Sequence, residues 1–282
     1  MKTQIAIIMT IFTLFITPVK GQSYEPLDLA KKIFSKGGIK NLDNYVTDEY
    51  KGKPNGKDLQ KESTTKFILL EQKENKAVVA MTVLDSLEKG FDLYLYFKKN
   101  PTWKMNAFRS LAMTGIIKQV KLELEKMTPQ QVDNIIAESK EKKQGNFSMF
   151  TTKEDYEFRL GNTKLILELD DNIIKHFLEN QLEFEKLKNL ALNQLEDKDL
   201  KTEKSISLIE SSKLDYQKLF VSSISTGGYE LGNCINFLIG GMTDNTVGYI
   251  YVNNERDLPE MNSNRVIMIR KIGNGWYIYK TT

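Results

Sequence analysis

His176 is the only histidine and Cys234 the only cysteine in 282 residues. Hydrolase triads and Cys–His proteases need an imidazole beside a nucleophile, and zinc sites need several His or Cys ligands at set spacings. His176 lies in Ile173-Ile174-Lys175-His176-Phe177 with no partner motif, so it reads as a surface or boundary residue of a helix. Cys234 lies in a strand-like stretch, Gly232 to Phe237, and reads as a small buried hydrophobe. A lone cysteine makes no disulfide within its own chain. Ser222-Ser223-Ile224-Ser225-Thr226-Gly227-Gly228 is rich in hydroxyls and glycine. It lacks the Gly-Lys-Ser/Thr ending and following helix of a phosphate loop, so a strand end and loop are expected. Gly240 to Asn245 reads as a hairpin loop. Glu230, Asp244 and Glu255 are of a type that binds hard cations, but no Asp-x-Asp-x-Asp-Gly spacing accompanies them. No catalytic residue, metal ligand or cofactor is assigned.

Tyr94 and Tyr96 are the interaction candidates. From Phe91 to Lys98 the chain alternates: Phe91, Leu93, Leu95 and Phe97 face one way, Asp92, Tyr94, Tyr96 and Lys98 the other. With the apolar set in the core, the tyrosines lie on the opposite sheet face beside Lys104 and Asn106. Aromatic rings there form a surface for a ligand or partner, a second copy of the chain included. The competing expectation is cross-strand packing, or cover by the second half of the chain.

Placement of these groups begins with compartment. Lys2 opens a positive start, Ile5 to Ile16 is apolar, and Thr17-Pro18-Val19-Lys20-Gly21-Gln22 breaks the run. That layout predicts a signal peptide over 1–21, cut near Gly21-Gln22, and a secreted or periplasmic protein. The run falls short of the about 20 residues a helix needs to cross a bilayer. No later stretch is long and apolar enough either, so no stable membrane insertion is expected after cleavage. Cleavage takes the formal charge from +3 to +1, because Lys2 and Lys20 leave and no acid does. That balance supplies no overall field for nucleic acid, although it leaves room for local basic patches.

The polar run Glu138 to Gly145 divides the remainder into 22–145 and 146–282. In the first part, Leu29, Ala30, Ile33 and Phe34 predict a helix ended by Gly37-Gly38, and Ile39 to Val46 a second, short one. Strands follow at Phe67–Leu70, Ala77–Leu84, Phe91–Lys98 and Thr102–Phe108. Ile116 to Met127 reads as helix, and Thr128-Pro129-Gln130-Gln131 starts another with a capping box. In the second part, Thr163 to Leu169 alternates like a strand. Asp170 and Asp171 are expected to cap one long helix to Ala191, with loop from Gln194 to Lys204. Strand signals dominate thereafter: Leu219–Ile224, Cys234–Ile239, Val247–Val252, Val266–Ile272 and Trp276–Tyr279. Asn274-Gly275 marks a hairpin. Val266-Ile267-Met268-Ile269, apolar on both faces, predicts a central strand. The class is α+β, with two domains that each pack N-terminal helices on an antiparallel sheet.

The order of helices then strands over about residues 24 to 110, ending Phe97-Lys98-Lys99-Asn100-Pro101-Thr102-Trp103-Lys104-Met105, resembles an NTF2-like (cystatin-like) α+β domain. The resemblance implies a sheet wrapped around a pocket, which some members use for Asp, His and Tyr chemistry and many only for binding or oligomerisation. The helices after Phe108 depart from the simplest version and imply a C-terminal extension. The second half resembles secreted proteins of bacteria. Since no catalytic set is present, the functional expectation is an exported, non-catalytic binding or interaction protein of a bacterial cell envelope. The alternatives are an NTF2-like small-molecule enzyme, and an inhibitor or immunity protein acting on a secreted partner.

Overall fold

The computed structural model describes residues 23–51, 54–141, 148–196, 206–226 and 231–282. The signal segment, Glu230, Gly227-Gly228 and part of the charged joint lie outside these residues.

Helix α1 (Pro26–Ile33) opens on a proline suited to its first turn and buries Leu29, Ala30 and Ile33. It ends at Ile33 with Phe34 as its C-cap, before the expected Gly37-Gly38, and the chain then turns through Gly38 at φ +63°, a left-handed conformation that glycine adopts freely. Single helical turns follow at Leu42–Asn44 and Asp48–Tyr50. Strands β1 (Thr64–Gln72), β2 (Lys76–Leu84), β3 (Gly90–Lys99) and β4 (Trp103–Arg109) form one antiparallel meander in sequence order. One face of this sheet, with Val79, Met81, Leu95, Phe97 and Met105, packs under α1 and Tyr50. Val78, Ala80, Tyr94, Tyr96 and Ala107 on the other face join the largest core of the molecule.

That core is shared with the rest of the chain. Helices α2 (Thr114–Lys126) and α3 (Pro129–Glu141) lead to α4 (Lys153–Ile166), α5 (Asp170–Glu179) and α6 (Gln181–Glu196). The second sheet contains β5 (Ile206–Ser207), β6 (Ser223–Thr226), β7 (Ile235–Met242), β8 (Asn245–Tyr251), β9 (Val266–Gly273) and β10 (Trp276–Thr281). The strand order is β5-β6-β7-β8-β10-β9. A short helix, α7 (Lys213–Lys218), precedes β6. Trp276, Phe177, Phe184, Phe237 and Tyr249 cluster between α5, α6 and this sheet, with Phe177 4.9 Å from Trp276 between ring centres. The α+β class holds, and the two sheets bury residues in a common core.

Several elements differ from expectation. Thr163–Ile166 ends helix α4 and is not a strand: Thr152 caps the helix start, and the Thr163 hydroxyl donates to the Arg159 carbonyl at 2.9 Å. The long helix breaks at Asn180, whose side-chain amide donates to the His176 carbonyl at 2.9 Å, leaving α5 and α6. Helix α6 runs through Gln194 to Glu196, where loop was expected. Lys213–Lys218 is helical, and the next strand starts only at Ser223. Strand β9 is at the sheet edge, not its centre. It is apolar on both faces because Ile267 and Met268 enter the shared core while Val266 and Ile269 pack with Leu231, Cys234 and Tyr277 on the other side.

Candidate functional site

The two halves meet at a cluster of buried charges. Asp92 projects from β3 on the same face as Tyr94, Lys280 from β10, and Asp170 is the first residue of α5. Their side chains are no more than 5% exposed. Lys280 Nζ lies 2.8 Å from Asp170 Oδ1 and 3.9 Å from Asp92 Oδ2. The Tyr94 hydroxyl donates to both Asp170 oxygens at 2.9 and 3.1 Å. Asp92 Oδ1 accepts from the Thr82 hydroxyl at 2.5 Å, and Oδ2 from the Asp170 backbone N–H at 2.8 Å.

Burial makes this arrangement costly unless each charge is paired. Two carboxylates share one ammonium, so the cluster carries an excess negative charge or holds a proton. Desolvation, reinforced by the neighbouring Asp170, raises the Asp92 carboxyl above the usual range. Burial and then Asp170 push the Tyr94 hydroxyl well above its ordinary value, so it serves as a hydrogen-bond donor.

Asp92 and Lys280 also floor a cleft of about 270 Å³ at the junction. Phe91, Leu111, Ile166, Leu167 and Leu169 give it apolar walls; Ser110, Thr114, Lys118 and Glu168 complete the lining. Phe91 is 52% exposed, an uncovered ring at the mouth. Gly90 is required on this wall, because a Cβ there would lie 1.8 Å from the Val83 carbonyl oxygen. The lining is about equally polar and apolar, and a recess with convergent polar groups beside apolar walls can hold a small molecule.

Tyr94 and Tyr96 lie side by side on their sheet face, but both are buried. Tyr94 is committed to Asp170, and Tyr96 donates to the Ile267 carbonyl at 2.6 Å. The second half of the chain covers this face, so it offers no solvent-facing tyrosine surface. The apolar residues around the rings, Val78, Ala80 and Ala107, gain more from that cover than from water.

Elsewhere, His176 is half-buried; its Nε2 lies 3.1 Å from the Leu219 carbonyl and its ring stacks on Phe220. Cys234 is fully buried, and burial followed by Asp257 pushes its thiol up to about 12, which leaves it unreactive. The Ser222 hydroxyl donates to the Leu238 carbonyl at 3.0 Å. Met242 and Asn245 flank a hairpin turn. Glu255 pairs with Lys271. No metal-holding group of three or more His, Cys, Asp or Glu occurs among the described residues, and none of their helices is long and apolar enough to cross a membrane.

Asp92, Asp170 and Lys280 escape sequence reasoning because they come from three distant segments. One signal existed: Asp92 belongs to the same alternating set as the two tyrosines, so a face bearing rings also had to carry a carboxylate. No family model, curated protein or solved structure matches the chain.

Proposed function

We propose that the chain is an exported, non-catalytic binding protein of a bacterial cell envelope that takes a small organic molecule into the cleft over Asp92 and Lys280. The observation that carries this reading is the cleft itself: apolar walls above a buried, internally paired charge cluster. The buried cluster at the floor, Asp92 and Asp170 around Lys280, holds more carboxylate than ammonium, which favours a ligand with an amine or another hydrogen-bond donor at one end and a short apolar body. The Tyr94 hydroxyl is spent on holding Asp170 and acts by positioning. Export rests on the residue pattern of 1–21, and the NTF2-like reading of the first half on its helix-then-meander order.

Thermal unfolding with a panel of small aliphatic and aromatic amines tests the binding site. A ligand at about ten times its Kd adds about 1.4 kcal/mol of stability. The expected result is a raised Tm for some of the panel, abolished by Ser110→Trp, which fills the cleft. No stabilisation by any amine, or the same stabilisation in Ser110→Trp, removes the site. Export is tested separately by N-terminal sequencing of the periplasmic or secreted chain, with Gln22 expected first.

A second reading, an acid–base enzyme, is favoured by one observation: Asp92 is a buried carboxyl with a raised proton affinity at the base of a concave site. Against it, the α1 side of the first sheet is filled by Leu29, Ile33, Tyr50, Phe97 and Trp103, where an NTF2-like pocket would lie.

A further inference from the structure

A second cleft, of about 550 Å³, lies at the β1 edge of the first sheet between the end of α1 and the start of β1. Lys31, Lys36, Lys57 and Lys61 line it together with Ser35, Ser63, Thr64 and Thr65, and no carboxylate does. Some lysines elsewhere sit on acids: Lys76 on Glu260 at 3.1 Å, Lys121 on Glu125 at 3.2 Å, Lys271 on Glu255 at 2.5 Å. Here Lys31 reaches Asp28 only at 4.0 Å.

The local geometry occupies the acid beside Lys57. Asp58, the nearest acid in sequence to Lys57, accepts the Asn55 backbone N–H at 2.9 Å in a capping box that fixes the loop. The Gly56 backbone lies so close to α1 that a Cβ would meet the Ser35 carbonyl oxygen at 1.8 Å. That approach brings Lys57 beside Ser35 and Lys36. The carbonyls at the helix end are already used: Ala30 O accepts from Phe34 at 3.0 Å, Lys32 O from the Ser35 hydroxyl at 2.9 Å, and Ser35 O from Gly38 at 2.7 Å. The lysines are therefore not needed as caps. Four exposed lysines on one hollow give it a local positive charge that attracts an anion.

We infer that this cleft binds an anion bearing two or more phosphoryl groups. Lysines act as separate point charges and suit phosphate, whereas the planar fork that favours a single carboxylate is an arginine property, and the lining contains no arginine. The hydroxyls of Ser63, Thr64 and Thr65 add donors for phosphoryl oxygens, the Ser35 hydroxyl being spent on the Lys32 carbonyl. The volume exceeds what one phosphate fills. The phosphoryl groups can belong to a free small molecule or to a lipid headgroup.

The test titrates the mature chain with pyrophosphate and follows backbone amide chemical shifts, at low salt and again at physiological salt. Shifts confined to residues 31–38 and 56–65 are expected, with affinity at least about tenfold lower in Lys57→Gln/Lys61→Gln. Both lysines are exposed, so that variant keeps the fold, and Lys175→Gln/Lys186→Gln on α5 and α6 should bind like the parent. Sedimentation with cardiolipin vesicles, whose headgroup carries two phosphoryl groups, separates the sources: pelleting that pyrophosphate reverses assigns a lipid headgroup, and pyrophosphate binding without pelleting assigns a free molecule. Absence of shifts, shifts spread over all lysines, or equal affinity in the Lys57/Lys61 variant overturns the inference.

Discussion

Asp92 Oδ2 accepts the backbone N–H of Asp170 at 2.8 Å, so a strand of the first sheet caps a helix of the second half. The residue preceding that helix is Leu169, which has no side-chain acceptor for the exposed N–H groups of the first turn. A carboxylate from β3 supplies one, at the end where the helix dipole favours negative charge. Helix start and sheet contact are thus one interaction.

Asp92→Ala should therefore cost more than a lost surface contact. It leaves the Asp170 N–H and the Thr82 hydroxyl without their buried acceptor, at about 2–4 kcal/mol together. Asp92→Asn keeps an acceptor oxygen and should cost about 1 kcal/mol. Urea unfolding of both variants checks the difference; equal losses would show that the cap contributes nothing.

Lys280→Met removes the one cation from a site with two acids. Breaking a buried pair from one side typically costs about 3–5 kcal/mol, because the remaining charge is uncompensated. The loss should shrink in Lys280→Met/Asp92→Asn, where one buried acid remains in place of two. A double variant less stable than Lys280→Met by the full Asp92→Asn increment would show that the two sites are uncoupled.

Tyr94 and Tyr96 differ in what they hold. Tyr94→Phe takes a donor from a buried carboxylate and should cost about 1.5–3 kcal/mol, whereas Tyr96→Phe takes one from a backbone carbonyl and should cost about 1 kcal/mol. Neither change should alter self-association, since both rings are buried within one chain. Chemical denaturation and analytical ultracentrifugation read the two effects separately.

Much of this fold was legible because its local signals agree. The alternation from Phe91 to Lys98 reports a strand whose two faces meet different surroundings, and both surroundings turn out to be protein. Thr128 and Gln131 exchange the expected capping-box hydrogen bonds, at 3.3 and 2.8 Å. What could not be read is set by distant contacts. Thr163 to Leu169 alternates like a strand, yet the cap at Thr152 and the neighbours of Leu165 and Ile166 in the shared core hold most of it helical. Strand β9 looks central because cover on both faces, not its place in the sheet, determines composition. Asp92, Asp170 and Lys280 share no spacing, so no motif could bring them together before the chain folds.

The raised affinity of Asp92 for a proton fixes the sign of one pH dependence. Above the ordinary carboxylate value of about 3.9, the native chain still holds this proton and the unfolded chain does not. Its stabilising contribution is complete below that value and is lost as pH rises through the elevated native value. This slope is opposite to that of an acid favoured as a carboxylate. Unfolding free energies measured across the interval should decline for the parent and flatten in Asp92→Asn. A parental curve that rises, with no change in the variant, would contradict the assignment.

His176 produces the reverse slope in its own window. Burial lowers its pKa, outweighing the Leu219 carbonyl and Glu179, which raise it. The unfolded imidazole takes up a proton near pH 6.5, while the native ring, stacked on Phe220, resists it. The unfolded state then binds more protons, so the stabilising contribution is present above that pH and is lost as pH falls through the native value. Acidification charges a ring whose surroundings are Phe184, Phe220 and one carbonyl. His176→Gln can still donate to Leu219 and never becomes cationic, so it should lose less than about 1 kcal/mol at alkaline pH and become relatively more stable on acidification. The His176 ring shifts followed by NMR should titrate below the ordinary histidine value. A titration at or above that value would remove the basis for this slope, and with it the prediction that the parent and His176→Gln curves converge as pH falls.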